Sequence, residues 1–189
     1  MANVTLTKFA IDIEKERKFL LKPEAFLPKT FSVPKFIQQV YLVVDSEYTG
    51  DHTRIRITDW KHAEITYKKV IDKETREEYD FEIDLSKAME IYAKSNFKLE
   101  KKRYTRLIWP VGSSRPQGEY AVDIYPDGTM IVEIEYFTQE LYDLHQDEKE
   151  LPAFCGKEIT GMKAFSNINL ANIMENQHYD HSVKHEFGE

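Results

Sequence analysis

Apolar and polar positions alternate along most of the first three quarters of the chain. Period-two alternation puts successive side chains on opposite faces of an extended segment. It predicts strands over residues 13–21, 37–44, 53–58, 62–70, 76–83, 97–108, 118–125 and 130–136. Asp127-Gly128, between the last two, is a hairpin-turn signal. Residues 84–96 place Leu85, Ala88, Met89 and Tyr92 on one helical face, and 138–148 and 164–174 are shorter helical candidates. No Gly/Ser-rich or Pro-rich linker and no fixed-period repeat divides the sequence. The reading is one domain over 1–189, with a core of about 11–171 and a polar C-terminal tail of about 176–189. Many strands with few helices predict a mainly β (α+β) fold, a barrel or strongly curved antiparallel sheet with helices packed outside.

The polar faces of these strands are charged, and their signs are sorted. Glu14, Glu16 and Lys18 share a face, as do Arg54 with Arg56, Thr66 with Lys68, and Lys101 with Arg103. Arg76, Glu78, Asp80 and Glu82 share another face, opposite Tyr79, Phe81 and Ile83. Glu133 and Glu135 lie opposite Val132, Ile134 and Tyr136, and Asp123 sits between Val122 and Ile124. Parity alone leaves two directions open: the charges face water, or they line the inside of a barrel. Sorted signs have a specific use inside. Arg and Lys grip a linear polyanion by charge-assisted hydrogen bonds. Carboxylates beside such a ligand repel it unless a divalent cation bridges them, and carboxylate, phosphate and water oxygens suit Mg²⁺ or Mn²⁺.

Composition narrows the partners. A net charge of −7 disfavours nucleic acid as the main partner, although it leaves room for a local basic pocket. Seven glycines in 189 residues form no phosphate loop or dinucleotide fingerprint, so phosphate binding would come from side chains. No apolar run approaches a membrane span, and a single cysteine, Cys155, excludes an internal disulfide. A soluble, cytoplasmic protein is expected, with no membrane or nucleic-acid partner and with a homodimer left open.

Taken in order, the charged segments resemble the signature of the CYTH superfamily, the triphosphate tunnel metalloenzymes. Glu14-x-Glu16-x-Lys18 is similar to its ExExK strand, and Gln39-Val40-Tyr41-Leu42 to its Q-G-Y-L segment. Arg54-x-Arg56, Thr66-x-Lys68, Arg76-x-Glu78-x-Asp80-x-Glu82-Ile83 and Lys101-x-Arg103-Tyr104 follow. Then come Val122-Asp123-Ile124-Tyr125, Val132-Glu133-Ile134-Glu135, Gly156-Lys157-Glu158-Ile159-Thr160 and Phe165-Ser166-Asn167. Asp80 stands where the family has Glu, Val40 where it has Gly, and Phe154 where it often has Trp. The resemblance implies an eight-stranded antiparallel barrel forming a tunnel. It implies Glu14, Glu16, Glu133 and Glu135 as ligands of Mg²⁺ or Mn²⁺, with Asp123, Glu78 and Asp80 as further acidic lining. It implies Lys18, Arg54, Arg56, Lys68, Arg76, Lys101 and Arg103 as phosphate-binding residues, and Glu16 and Lys68 as the catalytic pair.

The segment Gln39-Val40-Tyr41-Leu42 is closer to the bacterial inorganic-triphosphatase branch than to the cyclase and thiamine-triphosphatase branches. Hydrolysis of the terminal phosphoanhydride of tripolyphosphate or a nucleoside triphosphate is therefore the expected activity. Class IV-type adenylate cyclisation and non-catalytic polyphosphate or nucleotide binding are the alternatives. Other features are weaker. His178, His181 and His185 share helical spacing but lie in the polar tail, Cys155 has no basic neighbour in sequence, and Trp60 and Trp109 read as packing or rim residues. Lys102 is expected to face away from Lys101 and Arg103.

Overall fold

The computed structural model describes residues 9–23, 29–44 and 52–171. Eight antiparallel strands close into a barrel: β1 (Phe9–Leu21), β2 (Lys35–Val44), β3 (His52–Thr58), β4 (His62–Val70), β5 (Thr75–Glu82), β6 (Lys98–Ile108), β7 (Gly118–Ile124) and β8 (Met130–Tyr136). Around the barrel the order is β1-β5-β4-β3-β2-β6-β7-β8, returning to β1. Closure depends on the length of β1. Its residues 9–15 pair with β5, and residues 16–20 pair with β8. A short β9 (Cys155–Glu158), not anticipated from the sequence, adds to β1 beyond the end of β5.

The predicted strands all form. The Asp127-Gly128 signal is a tight turn with Gly128 at φ 89°, where the Thr129 amide donates to the Asp127 carboxylate at 2.9 Å. Helix α1 (Leu85–Lys94) lies inside the predicted 84–96, with the Asp84 carboxylate accepting the Lys87 amide at 3.0 Å as its N-cap. Helix α2 (Gln139–Leu144) is shorter than the predicted 138–148. Asp147 caps a separate turn, Glu148–Glu150, through the Lys149 amide, and this local bond competes with helix continuation. Within the predicted 164–174, a 3-10 turn, Lys163–Phe165, precedes helical residues 167–171. The tail with His178, His181 and His185 lies outside the described residues. Among the described residues no helix is long and apolar enough to cross a membrane.

The barrel is built inside out, with most of its apolar side chains on the outer wall. On one side Val40, Ile55, Ile57 and Ala63 pack under α1 around Ala88. On the other, Phe19, Tyr120, Val122, Val132, Ile134 and Tyr136 are covered by Leu141 of α2 and by Phe154 and Cys155. Gly118 permits that cover: a Cβ there would lie 2.7 Å from Leu141 Cδ2 and 2.5 Å from the Glu135 carbonyl oxygen. Arg17, on the same outer face, fastens the layers. Its Nε and Nη2 donate to Glu158 of β9 at 3.0 and 2.7 Å, and Nη1 donates to the His145 carbonyl behind α2 at 2.6 Å. Cys155 is buried, and burial pushes its thiol up to about 12, which suits a packing role.

A third apolar cluster lies partly inside. Tyr41, Leu99, Tyr125 and Ile131 share the inward parity of the charged residues and pack against Ile159, Leu170 and Ala171. Here the barrel interior is plugged by side chains.

Candidate functional site

With the apolar set facing outward, the charged set faces in. Strands of a closed sheet tilt, so each step to a neighbour moves the level along the strand. Followed round the barrel, the registers bring eight inward residues to one level, one per strand. In spatial order they are Glu16, Glu133, Asp123, Lys101, Gln39, Arg54, Lys68 and Arg76, before the ring returns to Glu16. The signs divide the ring in two. Three adjacent strands, β1, β8 and β7, supply carboxylates. The other five supply four cations with one neutral amide, Gln39, between Lys101 and Arg54. The plug of Tyr41, Leu99, Tyr125 and Ile131 forms the next level on one side. On the other side lie Glu14, Glu135, Arg103, Arg56, Thr66 and Glu78.

Contacts across these levels agree with this arrangement. Arg76 Nη1 lies 2.5 Å from Glu16 Oε1 within the ring. Lys18 Nζ meets Glu133 at 2.7 Å and Glu16 at 3.2 Å. Lys101 and Arg103 both donate to Asp123, at 2.6 Å and as a fork at 2.7 and 2.6 Å, and Arg103 also bonds Glu133. Lys68 meets Glu14 at 2.9 Å and is paired with Glu78. Thr66 donates to Asp80 at 2.6 Å. Every residue expected at the site except Glu135 and Asp80 is therefore in an ion pair within the barrel, and Asp80 holds the Thr66 hydroxyl. Asp123 is fully buried and enclosed by Lys101 and Arg103. Lys102 is exposed on the outside, as its parity requires.

Two groups break the pattern. The first is on the basic side. Arg54 Nε, Arg56 Nε and Gln39 Nε2 are buried donors with no hydrogen bond, and Arg54 reaches Glu78 only at 3.9 Å. Unsatisfied buried donors are costly and uncommon. The three lie on two paired strands, where Arg56 Nη1 donates to Glu64 at 2.9 Å but these nitrogens stay without acceptors.

The second is on the acidic side. Glu135 pairs in register with both Glu16 and Glu119, and Glu119 is a carboxylate that the sequence reading did not single out. Its only signal was parity with Ala121 and Asp123 on β7. No salt bridge to Glu135 or Glu119 forms among the described residues. Burial, then Glu14, Glu119 and Glu16, push the Glu135 carboxyl up to about 7.

The remaining titrations follow the same division. Burial alone would raise Glu14, but Lys68, with Arg54 and Arg76 beyond it, holds it down at about 2. Burial opposes ionisation of Glu133 as well, and Lys18, Arg103 and Lys101 keep it well below the ordinary range. On the basic side, burial and then Arg54 lower Lys68 to about 8, against Glu14 and Glu16. Burial and then Arg103 lower Lys101 to about 7 despite Asp123. Arg56 falls to about 10 through burial and Arg54.

A pH dependence follows. Between the ordinary 4.5 and about 7, the folded protein keeps a proton on Glu135 that the unfolded chain releases. This contribution therefore weakens stability as pH rises through that window, by on the order of 2–3 kcal/mol. Glu14 has the opposite sign: its contribution is present above 4.5 and is lost as pH falls toward 2. Urea unfolding in chelator should give lower stability at pH 7 than at pH 5, with the difference reduced in Glu135→Gln. A parent and variant with the same pH slope would contradict the assignment.

A cavity of about 430 Å³ opens at the β3–β4 end of the barrel, lined by Arg56, Thr58, Lys61, His62, Glu64 and Glu82, with Ile83 and Leu85. Arg56 is common to this cavity and to the level beside the ring. At the β3–β4 turn, Asp59 and Trp60 take left-handed backbone angles, φ 51° and 58°. Two bonds between Asp59 and the Phe36 backbone hold the turn, and Trp60 stacks on Phe36 at 5.7 Å. Trp60 and Trp109 are each about half exposed, consistent with rim positions.

The acidic arc offers hard oxygen ligands of the kind Mg²⁺ or Mn²⁺ takes. Among the described residues, however, no three acidic, His or Cys side chains converge closely enough to hold an ion. Glu14, Glu16, Glu133 and Asp123 are occupied by Lys and Arg. The donor set fits a divalent cation in chemistry, provided that another anion takes over those cations.

No protein-family model matches the chain, and no curated protein matches it. Solved structures with the same fold do. The PH1819 protein from Pyrococcus horikoshii is similar at TM-score 0.61 and 23% identity, over 85% of this chain and 99% of that one. The hypothetical protein NE1496 is similar at TM-score 0.55 and 23% identity, over 84% and 96%. A conserved hypothetical protein from Pyrococcus furiosus is similar at TM-score 0.51 and 24% identity, over 70% and 84%. At these identities the likeness is one of fold.

Proposed function

We propose that this protein is a triphosphate tunnel metalloenzyme of the CYTH kind, a divalent-metal-dependent triphosphatase. It would hydrolyse the terminal phosphoanhydride of tripolyphosphate or a nucleoside triphosphate inside the barrel. The observation that carries this reading is the divided ring, with carboxylates on three adjacent strands facing a basic side where Arg54 Nε, Arg56 Nε and Gln39 Nε2 are buried without acceptors. A triphosphate supplies those acceptors. By drawing Lys68, Arg76 and Lys18 to itself, it also frees Glu14 and Glu16.

In this reading Arg54, Arg56, Lys68 and Arg76 grip the phosphate oxygens, joined by Lys18, Lys101 and Arg103. Asp123 keeps Lys101 and Arg103 in place. Glu14, Glu16 and Glu135 would hold Mg²⁺ or Mn²⁺, with Glu133 beside them. When bound, the ion neutralises the triphosphate and lowers the pKa of a coordinated water. Lys68, held near 8, can give a proton to the leaving phosphate oxygen and recover it near neutral pH. Fixing the phosphate chain in line and neutralising its charge would supply most of the acceleration.

Two alternatives have specific support. The cavity beside Arg56 is roomy enough for a nucleoside, which keeps nucleoside triphosphates in the substrate class and leaves adenylate cyclisation open. The ion-paired state of Glu14 and Glu16 suits a non-catalytic polyphosphate binder. One assay separates the three. Purified protein with Mg²⁺ or Mn²⁺ should release orthophosphate from tripolyphosphate. Cyclic AMP and pyrophosphate from ATP without that release would indicate the cyclase, and binding without turnover of either would indicate the binder.

A further inference from the structure

We propose that Gln39 is a further phosphate-binding residue, the neutral donor between Lys101 and Arg54 in the basic arc, and that it holds the end of the phosphate chain. The inference rests on the triphosphate reading above and adds a contact to it. Gln39 is fully buried, yet its Nε2 has no acceptor. In the structure its amide oxygen is turned toward Tyr41. The Tyr41 hydroxyl, two residues along the same face, lies 3.4 Å from Gln39 Oε1 and donates to it. Burial pushes Tyr41 up to about 12, so it keeps that proton at ordinary pH. With the amide oxygen engaged, the NH₂ group is the one left without a partner.

The surroundings indicate what the partner would be. Gln39 pairs in register with Arg56, which lines the open cavity and whose own Nε is unsatisfied. Its other register partner is Leu99, a member of the apolar plug. A ligand entering past Arg56 therefore meets Gln39 directly before the apolar plug. Tyr41, Leu99, Tyr125 and Ile131 offer no seat for a further charged group, so the phosphoryl group against Gln39 is a terminal one. A buried amide is a poor choice for packing alone, since methionine fills similar space without an unsatisfied donor. A phosphate oxygen would restore the missing bond.

The test is Gln39→Met, with Gln39→Glu as a second variant that keeps an acceptor for Tyr41 but removes the donor. Tripolyphosphate and orthophosphate are each titrated by calorimetry in chelator, and melting temperatures are measured without ligand. Q39M exchanges the unsatisfied Gln39 donor for a Tyr41 hydroxyl without its acceptor, so it should melt close to the parent temperature. It should bind both anions roughly 10- to 100-fold more weakly, as expected for a hydrogen bond to a charged group. The salt dependence of binding should not change, since no charge is removed. Q39E should bind more weakly still, and it decides the matter if Q39M does not fold. Parent-like affinity in the folded variants would overturn the proposal while leaving the triphosphate reading intact. A parent that binds neither anion would overturn both.

Discussion

A Glu16→Gln variant is expected to bind tripolyphosphate more tightly than the parent in the absence of metal, while metal-dependent turnover falls at least 100-fold. The two effects have one origin. Glu16 is buried and occupies both Arg76 and Lys18. Removing its charge leaves those cations free for phosphate, and a nearby repulsive charge disappears. Several kcal/mol of Coulomb energy act between unit charges at such distances in a partly buried site, so a tenfold gain in affinity is a modest expectation. The same change removes an oxygen ligand from the acidic arc, and catalysis that depends on charge neutralisation loses it in the transition state. Calorimetry in chelator and phosphate release with Mn²⁺ give the two readings. Weaker anion binding together with normal turnover would show that Glu16 belongs to neither arc in the way described.

The second large effect concerns stability. Lys68 is buried and bridges Glu14 on β1 to Glu78 on β5. Lys68→Met keeps much of the volume but leaves two enclosed carboxylates without their shared cation. Breaking one partner out of a buried ion pair costs about 3–5 kcal/mol, and a similar loss is expected here in urea unfolding at neutral pH. Adding Glu14→Gln to Lys68→Met should recover part of the loss, because it removes one of the stranded charges. A single variant as stable as the parent, or a double variant no better than the single, would mean that Lys68 is not the bridge the geometry describes.

These effects depend on inward-facing charge, which the sequence left undecided. The alternation in Val132-Glu133-Ile134-Glu135 defines two faces, but it does not say which one meets water. That choice is made by distant residues. Leu141 and Phe154 cover Val132 and Ile134, and Ala88 of α1 covers Ile55 and Ile57. Once the outer wall is covered, Glu133 and Arg54 must point in. The ring was equally out of reach, because its levels arise from barrel closure and from registers between strands far apart in the chain. The motif strands themselves were readable, since Glu14, Glu16 and Lys18 share parity wherever the strand sits. Gln39 was not readable as a binding residue. It lies between Ile37 and Tyr41 on its face, and a neutral amide between apolar residues gives no charge pattern to notice. The four-residue β9 was missed because so short an extended segment carries no periodic signal, and its place depends on Arg17 and β1.

The central claim is that the divided ring is a seat for triphosphate, with cations on one arc and a metal-binding acidic arc opposite. A crystal structure with tripolyphosphate and Mn²⁺ tests it most directly, with the ion located by its anomalous scattering. The account predicts phosphate oxygens against Arg54, Arg56, Lys68 and Arg76, and manganese on the side of Glu14, Glu16 and Glu135. Tripolyphosphate found only on the outer surface, with the ion pairs of Lys68 to Glu14 and Arg76 to Glu16 intact, would contradict it.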